Sequence, residues 1–295
     1  MNESLRIVLG SVVEVFGVVL VAYLYSRRVR PDLSDATKLV TWVLVPCLVF
    51  TAILGSSVPV REIRDVTLAT LLQISIGLSA GWVVLRAIGW HGRRELLLPI
   101  AFVNSANLPF PLLVANFGSE ALSYGVICFM TTTATVFSVG IAILHGKSQL
   151  RATLREPVLW ATALALGCKS IGFEPPEIAM RVPRLAGQAA VPMMLVLLGD
   201  SLSRIGLGSI REAALVAALR FGTGALALWA TLSWIRPEGL LREVLILYAL
   251  LPSAVINLVL VRRMGLPAGG VASGVLVTTI LSAVWLPILL TLLTR

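Results

Sequence analysis

The chain is short of nearly everything a soluble enzyme uses. Charged residues make up 13% of its 295 positions, histidine occurs twice and cysteine three times. Cys47, Cys128 and Cys168 all lie within apolar segments, and an odd number without short spacing builds neither a disulfide framework nor a zinc site. His91 and His145 stand near the ends of different apolar runs with no partner ligand beside them, so no metal and no cofactor is expected. The sequence has no His-rich helix pair and no nucleophile–base spacing, which argues against a membrane-embedded enzyme. It also has no hydrophilic stretch long enough to fold as a second, extramembrane domain.

What remains is apolar sequence, 57% by count, with a mean hydropathy of +0.92. Ten runs emerge, at 5–25, 37–57, 66–88, 96–117, 122–144, 158–171, 185–205, 213–235, 244–261 and 269–293, the sixth being the shortest. Near 20 residues is the length that spans a hydrocarbon core of about 30 Å, so an all-α protein with ten transmembrane helices is expected. The first run is too long for a signal-peptide core, lacks a small-x-small cleavage site and carries Glu14 at its centre, so it reads as a retained span. The formal charge of +9 sits in short connections rather than in a stripe interleaved with aromatics, a pattern of membrane topology and not of nucleic-acid binding. Alternate connections and span ends carry 14 and 9 Lys and Arg residues. The positive-inside rule then puts both termini on the non-cytoplasmic side of the cell (inner) membrane.

An ordered series recurs within the chain. Arg64, Asp65, Gln73, Gly77 and Trp82 reappear 147 positions later as Arg211, Glu212, Arg220, Gly224 and Trp229. Arg94–Glu95 corresponds to Arg242–Glu243, Phe117–Gly118 to Met264–Gly265, and Thr131–Thr132 to Thr278–Thr279. The halves, 1–146 and 147–295, hold five spans each, and an odd number makes the second half enter the membrane in the opposite sense. Inverted repeats of this kind build secondary transporters, with the substrate site between repeats near the midplane.

The fourth run is interrupted where a membrane helix is least expected to be. In Asn104-Ser-Ala-Asn107-Leu-Pro109-Phe-Pro111, neither proline offers an N–H, so the carbonyls of Ser105 and Asn107 lose their helical partners. In hydrocarbon such groups are tolerated only against protein or a water-filled cavity. The ninth run carries Pro252, Ser253 and Asn257 in the corresponding place. Half-helices beginning near Pro111 and Pro252 would point their free N–H groups at the centre, where they favour an anion. Asn104, Asn107 and Asn257 would orient it. Simple proline kinks, with the asparagines bonded to a neighbouring helix, are the plainer alternative; the doubling of the pattern favours a site. Glu14, Asp200 and Arg220 are the charged residues within runs and the candidates for ion coupling, Arg220 lying where it could instead snorkel toward the cytoplasm.

These motifs carry a family resemblance. Asn104-x-x-Asn107-x-x-x-Pro111 running into Asn116-Phe117-Gly118 is similar to the signature helix of the auxin efflux carrier family. Val45-Pro46-Cys47, Ala190-Val191-Pro192 with Gly199-Asp200-Ser201, and Pro252-Ser253 through Asn257 to Arg262-Arg263-Met264-Gly265 resemble its second, seventh and ninth helices. The resemblance implies two inverted five-helix repeats, with interrupted helices 4 and 9 crossing at the midplane. It implies a scaffold of helices 1, 2, 6 and 7 that forms a homodimer, and a transport domain of helices 3–5 and 8–10. The implied activity is secondary active export of small organic anions by alternating access, the carboxylate bound at the crossing. Because 146–156 is short, the chain resembles the short, bacterial-type members, and a metabolite such as a dicarboxylate suits it better than an indole acid. An anion channel and a non-transporting membrane sensor are the alternative readings. Expected partners are the anion, membrane lipid and a second copy.

Overall fold

Proline and glycine set where the helices begin and end. A computed structural model describes residues 3–56, 58–145 and 156–293, so the short connection at 146–155 and the boundary between the two halves lie outside the described residues. Helix α1 is Glu3–Val29; α2 (Ser34–Leu39) passes through a π-helical turn, Val40–Leu44, into α3 (Val45–Gly55), which has Pro46 in its first turn. Helix α4 is Val60–Ala87, α5 Leu97–Ala101 and α6 Pro109–Thr135, which a second π-helical turn links to α7 (Ile141–His145). Then follow α8 (Pro157–Ser170), α9 (Glu177–Ser203), α10 (Ile210–Trp234), α11 (Gly239–Ala249), α12 (Val255–Arg263) and α13 (Gly269–Leu293). Pro109 and Pro157 occupy first helical positions, where a missing N–H costs no hydrogen bond.

The chain is all-helical: no strand occurs among the described residues, and six stretches, from Ser34–Gly55 to Gly269–Leu293, are long and apolar enough to cross a membrane. The expected spans at 96–117 and 244–261 are each broken in two, and the one expected at 158–171 is the 14-residue α8. The expected connection between the fourth and fifth spans falls at Gly118, whose non-helical backbone (φ 82°, ψ −176°) divides α6 into two helices at a kink; a side chain there would be strained. Large apolar side chains such as Ile178 and Trp234 remain exposed on the outer faces, as a lipid surround requires.

Helix α9 packs against α1 and α3, and α3 against α8; α10 packs against α4 and α13, while α4 carries α5 and α6. At one end of this second group Arg93 pairs with Glu95 at 2.6 Å and Glu212 at 2.5 Å, and these carboxylates, Glu212 foremost, raise the guanidinium pKa further. Ser209 caps α10 by accepting from the Glu212 N–H, so the loop before α5 is tied to the start of α10.

The recurring glycines mark the closest approaches. A Cβ on Gly77 of α4 would lie 2.9 Å from the Ala101 Cα, at the end of α5; one on Gly224 of α10 would lie 2.1 Å from the Ala249 carbonyl, at the end of α11. Each glycine thus lets a long helix seat the terminus of a short one. Gly224→Ala should therefore cost about 1–3 kcal/mol by overpacking, read as a lower melting temperature of the detergent-solubilised protein. Gly222→Ala, two positions away with nothing within 4 Å of its Cβ, should leave the midpoint unchanged or slightly raised.

Candidate functional site

The two interruptions satisfy each other. Between α5 and α6 (102–108) and between α11 and α12 (250–254) the backbone leaves the helix, and Val103 and Ser253 pair as an antiparallel bridge. The Asn104 N–H donates to the Pro252 carbonyl at 2.8 Å, and the Ala254 N–H to the Phe102 carbonyl at 3.1 Å. Side chains take up other backbone groups that the helices leave over. The Tyr248 hydroxyl donates to the Ser105 carbonyl, 2.8 Å away, sharing its proton with the Gly125 carbonyl at 3.0 Å. Ser253 Oγ donates to the Pro99 carbonyl at 2.5 Å, its N–H is received by Thr278 Oγ1 at 3.2 Å, and Asn257 Nδ2 donates to the Phe102 carbonyl at 2.9 Å.

The ends of α5 and α11 are held from the long helices. Arg220 of α10 is fully buried and donates through Nη1 to the Ile100 carbonyl at 2.9 Å and through Nη2 to the Ala249 carbonyl at 2.7 Å. Gln73 of α4, which precedes Gly77 as Arg220 precedes Gly224, donates to the Tyr248 carbonyl at 3.2 Å and reaches that of Ala249 at 3.5 Å.

A cavity of about 100 Å³ opens at the junction, lined by Asn104, Ser105, Asn107, Thr132, Val255 and Ile256 among others. That volume is the share of about three waters, enough for a carboxylate head group. The hydrogen-bond supply in it is lopsided. Helix α12 begins at Val255; the Asn257 N–H donates to the Ala254 carbonyl at 3.2 Å, and the N–H groups of Val255 and Ile256 before it have no acceptor within the helix. Helix α6 begins Pro109-Phe110-Pro111: two of its first three residues have no N–H, and the third, Phe110, already donates to the Ala106 carbonyl. The buried Nδ2 of Asn104 has no acceptor, and neither the Oδ1 of Asn257 nor the Nε of Arg220 has a partner. Donors to an incoming anion therefore come from α12 and Asn104.

The ten sequence candidates divide accordingly. Asn104 and the half-buried Asn107 line the cavity. Pro252, Ser253 and Asn257 lie in the junction as braces: the Pro252 carbonyl is committed to Asn104, Ser253 Oγ to Pro99 and Asn257 Nδ2 to Phe102, while Asn257 Oδ1 is left without a partner. The half-helices begin within three residues of the expected prolines: α6 at Pro109, two before Pro111, and α12 at Val255, three after Pro252, because the Ala254 N–H is held by Phe102 and Ala254 stays extended. Arg220 does not snorkel; both helix ends hold it inside. Asp200 is buried and chelated by Arg204, at 2.9 Å from Nε and 2.8 Å from Nη2, with Arg204 also donating to the Pro31 carbonyl, so it fastens the end of α9 to the 30–33 connection. Glu14 lies on an exposed face of α1 rather than against protein. Sequence reasoning left out Gln73, Tyr248 and Thr132 as parts of the site. The recurrence of Gln73 opposite Arg220, and of the threonine pair, was the signal for two of them; a lone tyrosine in an apolar run gave none.

Interrupted apolar helices that bond to each other around a small cavity with a few polar groups in its wall are the make-up of a membrane transport protein. The chain belongs to the family described as membrane transport protein, that of the auxin efflux carriers, whose model matches residues 7–150 and 141–290. It is 29% identical over 297 residues to a protein of Methanothermobacter thermautotrophicus named as an uncharacterized transporter, covering 96% of this chain and 93% of that one. An uncharacterized transporter of Methanocaldococcus jannaschii is 26% identical over 197 residues, covering 63% of this chain and 64% of the relative.

Removal of the Tyr248 hydroxyl tests the junction. Tyr248→Phe strands the buried Ser105 carbonyl, a loss of about 1–3 kcal/mol that should appear as a lowered melting temperature with the helical content retained.

Proposed function

We propose that the protein is a secondary transporter that exports small organic anions from the cytoplasm by alternating access, binding the carboxylate where the two interrupted segments cross. The buried Asn104 amide without an acceptor, beside the open start of α12, is the observation that carries this reading. A helix N-terminus favours negative charge, and an uncommitted buried donor costs free energy until an acceptor arrives. Asn107 and Thr132 complete the polar wall, while Val103, Val136 and Ile256 suit a short hydrocarbon body.

In this reading the chain folds as ten spans in two inverted halves, 1–146 and 147–295, in the cell (inner) membrane with both termini non-cytoplasmic. The paired roles of Gln73 with Gly77 and of Arg220 with Gly224, each at the end of a short helix, support the repeat. Helices α1, α2, α3, α8 and α9 form the scaffold, and the remainder moves against it. An open cavity of about 790 Å³ between α3, α6 and α9, with Thr51, Glu120 and Gln188 in its wall, supports such a seam. A homodimer through the scaffold would give Glu14, exposed among apolar neighbours on α1, a protein environment.

The test is charge movement on proteoliposomes challenged with a panel of mono- and dicarboxylates. At least one should give a saturable current that falls about tenfold or more in Asn104→Ala and Asn107→Ala, the loss of a hydrogen bond to a charged group, while both variants keep the wild-type melting temperature. Undiminished current in both variants would remove the crossing as the site.

A further inference from the structure

We infer that Arg220 is the resident cation of the crossing: its guanidinium occupies the place, between the C-terminal ends of α5 and α11, that a bound metal cation would otherwise fill. The last carbonyls of a helix have no partner within it, and each helix end carries roughly half a negative charge. Two such ends converge here: α11, 11 residues long, brings the larger share, and the five-residue α5 adds its free carbonyls. Arg220 meets both, through Ile100 and Ala249, and is fully buried. None of the ion pairs among the described residues includes Arg220, so its charge is balanced by the two helix ends and not by an acid. Gln73, the neutral counterpart on α4, adds hydrogen bonds to the same end of α11 without adding charge.

In transporters built on broken helices, such carbonyl ends are where a sodium ion is held. A planar group with five donors, always protonated in water and weakly hydrated, does the same work permanently. Gly224 makes this arrangement possible, since a Cβ there would sit 2.7 Å from Arg220 Nη2 and displace it from the Ala249 carbonyl. The junction is thus assembled, and its helix-end charge neutralised, without a metal ion. The consequence for transport, which alone rests on the function proposed above, is a cycle that needs no sodium and moves the charge of the anion uncompensated.

The melting temperature of the purified protein tests the inference without any substrate. In sodium, potassium and N-methylglucamine chloride of equal ionic strength the wild-type midpoint should be the same. Arg220→Lys should retain most of the stability, whereas Arg220→Gln, which keeps hydrogen bonding but not charge, should lose roughly 5–10 °C. Arg220→Ala should regain part of its loss with millimolar guanidinium chloride and none with N-methylglucamine. A saturable, sodium-specific rise in the wild-type midpoint would overturn the inference, as would a glutamine variant as stable as wild type. If Arg220→Ala does not fold, the wild-type salt series decides: equal midpoints uphold the inference and a sodium-specific rise defeats it. Absence of any carboxylate current would defeat the proposed transport function and leave these midpoints unmoved, so the two failures separate.

Discussion

A backbone carbonyl or N–H that leaves a helix inside hydrocarbon has no water to turn to, and the junction of this protein is arranged around that constraint. Pro109 and Pro111 force one helix to break, and the second break, at 250–254, supplies partners for the first: Asn104 to Pro252, Ala254 to Phe102. What the bridge leaves over is taken by Tyr248, Ser253 and Asn257, and the two short helix ends by Arg220 and Gln73. Each long helix approaches a short one at a glycine: Gly224 brings Arg220 to the Ala249 carbonyl, while Gly77 seats the end of α5 and Gln73, one turn earlier, reaches across to the end of α11. Neither break is tolerable alone, which ties the two halves of the chain into one unit.

The same constraint makes the junction asymmetric, and the asymmetry bears on function. With two prolines in its first turn, α6 offers little to an anion, while α12 offers its opening N–H groups beside the uncommitted amide of Asn104. The buried guanidinium of Arg220 neutralises the carbonyl ends of α5 and α11, so that their negative potential does not oppose an anion in a low-dielectric setting. The cavity between is small, suited to a head group rather than a whole bulky ligand. In the function proposed above, a carboxylate would be selected by these donors, and the rest of the substrate would meet apolar walls.

Much of this could be read from the residues. The break at 104–111, its echo near Pro252, the recurrence of Gln73 with Gly77 as Arg220 with Gly224, and the family resemblance were all legible. The partners were not. Depth along a span made Arg220 look like a snorkelling side chain, since nothing local reveals two helix ends meeting it from 29 and 120 residues away. Proline preference for a first helical position pointed to Pro252, but a hydrogen bond from Ala254 to Phe102 of the other half keeps that stretch extended and moves the start to Val255. Asp200 was a different kind of miss: Arg204 stands four residues on, the spacing of an ion pair on one helix face, so its partner was visible in the sequence.

The central claim is that the crossing binds a negatively charged group, and the most direct measurement is the sign of what it binds. Purified protein would be screened by thermal shift against short carboxylic acids, each paired with its neutral amide and with the corresponding amine. A ligand that binds only the folded state raises stability by RT ln(1 + [L]/Kd), so occupancy reads out as a concentration-dependent rise in midpoint. One or more carboxylates should stabilise the protein where their amides and amines do not, and the shift should vanish in Asn104→Ala. Stabilisation by the amines instead, or by carboxylates equally well in the variant, would contradict an anion site at this junction.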